Sequence, residues 1–154
     1  MRVSFYGTRG TVPVSGGDYK QTGGGTSCVV VRGAGRDVVL DAGSGLLDYG
    51  RELMERFTSE GDKPVTDMLF SHAHLDHLVG LPSFGPLFMP GAKVRMWGPR
   101  TPQHDSFQET VESLVHPPYF PIPMYEMSAD IEIFDLMGRE TLYLADQSDE
   151  ALHV

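Results

Sequence analysis

One short stretch limits what this chain can become. The strand expected from Val65 to Phe70 runs directly into Ser71-His72-Ala73-His74-Leu75-Asp76-His77. In an extended segment, residues two apart point the same way. His72 and His74 can therefore reach one cation from the same side, with Ala73 and Leu75 turned to the core. Asp76 and His77 are adjacent, at the turn into the next element, so they project differently and can serve a second ion. Imidazole nitrogens and a carboxylate oxygen suit zinc, and manganese or iron accept the same set. Two ions about 3.5–4 Å apart can share a hydroxide and clamp the attacking and leaving oxygens of an ester. The competing reading, three surface histidines beside an aspartate, does not explain why they follow a strand so closely.

Composition narrows the chemistry further. Cys28 is the only cysteine, so no thiolate cage can form, and its place in an apolar run reads as a small buried hydrophobe. At 154 residues the chain is long enough for one domain with a core and short for two. The formal charge is 12 − 21 = −9, with no run of Lys and Arg. That disfavours a nucleic-acid partner and favours a small-molecule substrate. No apolar run approaches the ~18 residues that cross a bilayer. Met1 to Gly7 lack the layout of a signal peptide, so a cytoplasmic location is the default expectation.

The periodicity predicts interleaved strands and helices, an α/β layered domain spanning 1–154. Val3 and Phe5 alternate with Ser4 and Tyr6 as in a half-buried strand. A Gly, Ser and Thr-rich loop runs from Gly7 to Thr26. Cys28 to Val31 is a buried strand, Gly33 to Arg36 a turn, and Val38 to Leu40 its hairpin partner. Leu46, Leu53, Met54 and Phe57 have helical spacing, with Ser44 available as a cap. Val94 and Met96 mark another strand. Pro102 fits the first turn of a helix that carries Phe107, Val111 and Leu114 on one face. Pro117 to Pro123 read as an extended, rigid loop, and Ile131 to Phe134 and Thr141 to Leu144 as closing strands.

Smaller motifs are weaker. Gly23-Gly24-Gly25-Thr26 lacks the Lys-Ser/Thr of a phosphate loop, and Gly43-x-Gly45 is a tight strand-to-helix turn. Asp41, just before it, is either a turn residue or an acceptor that orients a ligating histidine. Phe84, Phe88, Tyr119 and Phe120 read as core and loop packing more than as a cleft lining. His104 and His116 read as surface or packing histidines.

The run Ser71-His72-Ala73-His74-Leu75-Asp76-His77-Leu78-Val79-Gly80-Leu81-Pro82 resembles the signature of the metallo-β-lactamase superfamily. Phe5-Tyr6-Gly7-Thr8-Arg9-Gly10-Thr11-Val12-Pro13, Leu40-Asp41-Ala42-Gly43-Ser44-Gly45 and Pro117-Pro118-Tyr119-Phe120-Pro121 resemble segments of its ribonuclease Z and phosphodiesterase-like branch. The family pattern has an asparagine where this chain has Gly25. The resemblance implies an αββα sandwich, mainly its N-terminal half, with His72 and His74 on one metal and Asp76 and His77 on the other. The family supplies further ligands downstream, and this chain stops at Val154. By the same resemblance Asp146 is a weak candidate for the bridging aspartate, and His153 would need a folded-back tail.

The expectation is therefore a metal-dependent hydrolase, with one or two zinc ions, that uses metal-bound hydroxide on a phosphodiester or related ester. Asp76 would also hold the attacking water. The phosphodiester preference comes from the resemblance. The alternative is a catalytically silent remnant that binds metal or associates with copies of itself, since an exposed half-sandwich favours homo-oligomers.

Overall fold

The computed structural model describes residues 1–19, 21, 23–60 and 63–144. Six strands lie side by side in chain order: β1 (Arg2–Gly7), β2 (Cys28–Gly33), β3 (Arg36–Leu40), β4 (Val65–Leu69), β5 (Lys93–Pro99) and β6 (Asp130–Leu136). The first three are antiparallel and the last three continue the sheet in parallel. The β2–β3 hairpin closes over Ala34 and Gly35 alone, both at positive φ (49° and 73°). That backbone twist matches the twist of the flanking strands, as in a type I′ turn. Parallel neighbours need crossovers, supplied by α1 (Leu46–Glu60) between β3 and β4 and by α2 (Phe107–Leu114) between β5 and β6. No helix is long and apolar enough to cross a membrane among the described residues.

Because neighbouring strand partners share a face, the registers sort the side chains into two sets. On one face, Cys28, Val30, Val39, Met68, Val94 and Met96 are all buried against Leu46, Tyr49 and Leu53 of α1 and Phe107 and Val111 of α2. Burial, helped by the Asp41 charge, pushes the Cys28 thiol up to about 12, so it packs as an apolar group. The other face pairs Val3 with Val31, Phe5 with Val29, Leu40 with Leu69, and Trp97 with Phe134. Leu142 and Leu144 cover its middle, over Val38 and Trp97. Val3, Phe5 and Phe134 remain 47%, 70% and 42% exposed. The alternation in β1 thus runs opposite to a simple reading of its apolar residues. Tyr6 turns to the core, edge-on to Tyr49 at 5.4 Å between centroids, while Val3 and Phe5 face outward.

Several boundaries differ from the sequence reading. The helix expected from Pro102 begins at Phe107, because Ser106 accepts a hydrogen bond from the Glu109 amide at 3.1 Å. Glu109 reaches back to the Asp105 amide at 3.0 Å. That Ser-x-x-Glu cap outranks the proline as a start signal. Residues 117–123 do not run extended; the amides of Tyr119 and Phe120 both turn back to the His116 carbonyl. Residues 141–144 form no regular strand, although Leu144 is buried. Ser44 does not spend its hydroxyl on α1: it accepts from the Thr26 amide at 2.9 Å and ties two loops together.

Two buried carboxylates lie on the described strands and both are neutralised by arginine. Asp67 meets Arg95 at 2.6 and 3.0 Å. Asp37 accepts from Arg32 at 2.7 and 2.8 Å, from Arg56 at 2.9 Å, and from the Tyr49 hydroxyl at 3.1 Å. Burial opposes the Asp37 charge, yet the hydrogen bonds from Arg32 and Arg56 outweigh it and hold the carboxyl below its ordinary range. Asp37→Ala should cost about 3 kcal/mol, because it leaves two guanidinium groups without their shared partner. Urea unfolding would read this as a lower midpoint at unchanged slope. A folded pKa below the unfolded ~3.9 means that the stabilisation is present above about pH 4 and disappears as the pH falls further. Wild type should therefore lose stability more steeply than Asp37→Asn below pH 4, and parallel curves would contradict the assignment.

Candidate metal centre

The site is built where β3 and β4 end side by side. Asp41 follows β3 in the left-handed region, φ 61°, and its amide donates to Leu69 O at 2.9 Å. This non-glycine turn is held open by what its side chain does. The Asp41 carboxylate accepts the Ser71 amide at 2.8 Å, the Ser71 hydroxyl at 2.9 Å and the Ser27 hydroxyl at 3.2 Å. Its Oδ2 lies 2.8 Å from His77 Nδ1. A carboxylate can only accept, so Nδ1 is the donor in this contact, and Nε2 is the ring nitrogen turned away from Asp41. Both sequence readings of Asp41 hold at once: it is a turn residue, and it orients a histidine.

From Ser71 the chain stays extended through His74 and then enters a single 3₁₀ turn, Leu75–His77, in which the His77 amide donates to His74 O at 3.0 Å. His72 and His74 do meet, with ring centroids 4.5 Å apart. The expectation for His77 changes. The turn folds its ring back onto His72 at 4.1 Å, so it joins the first pair of imidazoles and does not project away from them. Asp76 stays alongside, with Oδ2 3.5 Å from His77 Nε2. Leu75 is 61% exposed and does not face the core, whereas Ala73 packs against it. The same 3₁₀ turn accounts for Leu75, since it breaks the period of two.

Backbone contacts fix this loop from below. The Ala42 amide donates to His77 O at 2.8 Å and the Gly80 amide to Ala42 O at 2.9 Å. A Cβ on Gly43 would stand 2.4 Å from Asp76 O, so glycine is required there by close approach. From above, the Thr11 amide donates to Asp76 Oδ2 at 2.8 Å. That bond is the chief reason the Asp76 carboxyl is held below its ordinary range. Thr11 sits at φ 74°, a conformation that no residue type announced. Sequence reasoning missed it, together with Ser27 and Ser71.

The donor chemistry fits a divalent cation. Three imidazoles and a carboxylate share one loop, and His77 has its inner nitrogen anchored on Asp41 and its outer one beside Asp76 Oδ2 at 3.5 Å. As the side chains stand, no group of three or more His, Cys, Asp or Glu among the described residues is arranged to hold a metal ion. His104 is engaged by Thr110 Oγ1 at 3.0 Å, and His116 is exposed beside the Pro117 carbonyl. Asp146 and His153 lie outside the described residues.

Residues 21–95 match the metallo-beta-lactamase superfamily. No curated protein matches the sequence. Among solved structures, the metallo-beta-lactamase fold protein YhfI from Bacillus subtilis aligns over 93% of this chain and 48% of its own, at 17% identity and TM-score 0.56. The short form of human tRNase Z aligns over 97% and 57%, at 16% identity and TM-score 0.52. A diphosphatase of the PhnP family aligns over 77% and 40%, at 21% identity and TM-score 0.47. The chain thus spans about half the length of these solved structures, and what it shares with YhfI and tRNase Z at these identities is the fold.

Asp41→Ala removes the acceptor for Ser71 and for His77 together. It should lower stability by about 2 kcal/mol, the scale of buried donors left without an acceptor. It should also move the imidazole proton signals of His77 in an NMR spectrum. Unchanged His77 signals in that variant would show that Asp41 does not orient the ring.

Proposed function

We propose that this chain, whose residues 21–95 match the metallo-beta-lactamase superfamily, is a member of it and a metal-dependent hydrolase of phosphodiesters or related esters. One observation carries the reading. Three imidazoles and Asp76 gather at the carboxyl ends of parallel strands, where α/β sheets place their ligands, and His77 is held through Nδ1 by the buried Asp41 at 2.8 Å.

In this reading His72 and His74 hold one divalent ion, and Asp76 and His77 contribute to the same ion or to a second. Zinc is the first candidate, and manganese or iron suits the same donors. Such an ion, when bound, supplies Lewis-acid activation of water and of the ester. The remaining work falls to the chain. Asp41 fixes the tautomer and angle of His77. The Thr11 amide occupies one face of Asp76 Oδ2 and so fixes the direction in which that carboxylate presents its other lone pairs. Asp76 can then hold an attacking water in line. A small phosphodiester suits the site better than a polynucleotide, since the net charge of −9 repels a long polyanion.

The open donor set favours a second reading, a silent domain that binds metal without turning over substrate. Hydrolysis of bis(p-nitrophenyl) phosphate separates the two. The hydrolase reading expects turnover with zinc or manganese, loss of it on chelation, and a fall of about 10²-fold or more in His74→Ala, as for removal of a group that acts in the transition state. No turnover with any divalent ion would favour the silent domain, and turnover that survives chelation would contradict a metal-dependent hydrolase.

A further inference from the structure

The loop that meets Asp76 carries a cation, Arg9, that stands against no carboxylate among the described residues. Arg32, Arg36, Arg56, Lys93, Arg95 and Arg100 each stand against a carboxylate. Arg9 does not. Among the described residues its guanidinium makes no hydrogen bond or ion pair, and its Nε is buried without an acceptor. A dehydrated donor left unmatched is costly in a charged group, so its retention in this position calls for an explanation.

What holds Arg9 is stacking. Its guanidinium carbon lies 5.1 Å from the centroid of the Tyr19 ring, a cation–π geometry that fixes the plane of the fork. Its backbone is fixed as well. The amides of Thr8 and Arg9 both donate to Gly25 O, at 3.1 and 3.0 Å, and Arg9 bridges to Thr26. Two residues on, the Thr11 amide binds Asp76 Oδ2 at 2.8 Å. Cα atoms two residues apart are separated by at most about 7 Å, so the Arg9 backbone lies close to the Asp76 loop, within reach of a long side chain. Its two terminal nitrogens are left as donors in the planar arrangement that pairs with phosphate oxygens.

We propose that Arg9, stacked on Tyr19, is a binding residue that grips the non-bridging oxygens of a phosphate ester at the mouth of the site. An acidic chain needs a fixed local cation to retain an anion against its own field, and Arg9 meets that need beside the cluster. The proposal rests on the hydrolase reading for the substrate class; its geometry is independent of any metal.

The test uses metal-stripped protein and inorganic phosphate, followed through the arginine Nε–H signals in an NMR titration. Wild type should show a saturable shift of the Arg9 signal that equimolar chloride does not reproduce. Arg9→Met should weaken phosphate binding by about tenfold or more, as expected for losing a charge-assisted pair. Arg9→Lys should fall between, because an ammonium neither stacks flat nor binds in two-pronged fashion. Tyr19→Phe should retain binding, and the fold of each variant is checked by its thermal transition. Equal phosphate binding in wild type and Arg9→Met, or no saturable binding in wild type, overturns the proposal. Kinetics with bis(p-nitrophenyl) phosphate keep the two claims apart. Turnover with KM unchanged in Arg9→Met defeats the role of Arg9 and leaves the hydrolase intact. Phosphate binding lost in Arg9→Met, with no turnover in wild type, defeats the hydrolase and leaves the anion site.

Discussion

The Asp41 carboxylate is bound from several directions at once, and the histidine loop takes its shape from that. Its oxygens accept the Ser71 amide and hydroxyl, the Ser27 hydroxyl and the His77 ring. Each of these groups belongs to a different stretch of chain from Asp41 itself. A buried acceptor with that many donors cannot move without leaving several of them unmatched, which makes the arrangement collectively stiff. The left-handed backbone at Asp41 is the local cost, offset by those bonds. Functional sites tend to keep such strain where the surroundings over-determine it. The imidazoles are therefore presented by a frame that does not depend on a bound ion for its form.

That frame has its own support in the sheet. β3 and β4 lie parallel and adjacent, so their carboxyl ends deliver Asp41 and Ser71 to the same edge. α1 returns the chain between them and buries Leu46, Tyr49 and Leu53 over the shared face. Close backbone approach does the rest, with Gly43 against Asp76 O and Gly80 against Gly43 O. The electrostatic design is economical: Asp37 and Asp67 are matched by arginines inside the sheet, and the acidic surplus lies elsewhere. Arg9 stands apart from this pattern because its neighbour is an aromatic ring and not a carboxylate.

Much of this was legible in the amino acids, and the reasons for the rest are specific. Strands β2 to β5 and helix α1 follow from apolar runs, from alternation such as Val94 and Met96, and from helical spacing, because local pattern and tertiary burial agree there. The hairpin turn was marked by Gly33 to Arg36. The pairing of His72 with His74 follows from the period of two alone. His77 was misjudged because one 3₁₀ turn, too short to leave a sequence period, rotates it back onto His72. β1 was misjudged in its facing because an edge strand with apolar residues on both sides carries no unambiguous alternation. Thr11 and Ser27 act through an amide and a hydroxyl brought in by loops, and composition cannot announce such partners. The start of α2 was written in Ser106 and Glu109, and a proline nearby drew the boundary too early.

His72, His74, Asp76 and His77 are proposed as metal ligands. Native mass spectrometry of protein purified without chelator is the immediate test, because it counts ions and subunits in one spectrum. At least one divalent ion per chain is expected, zinc before manganese or iron, and its loss when His72 and His74 are both replaced by alanine. A chain that carries no ion, or that keeps its ion after both replacements, would contradict the assignment of this loop as a metal site.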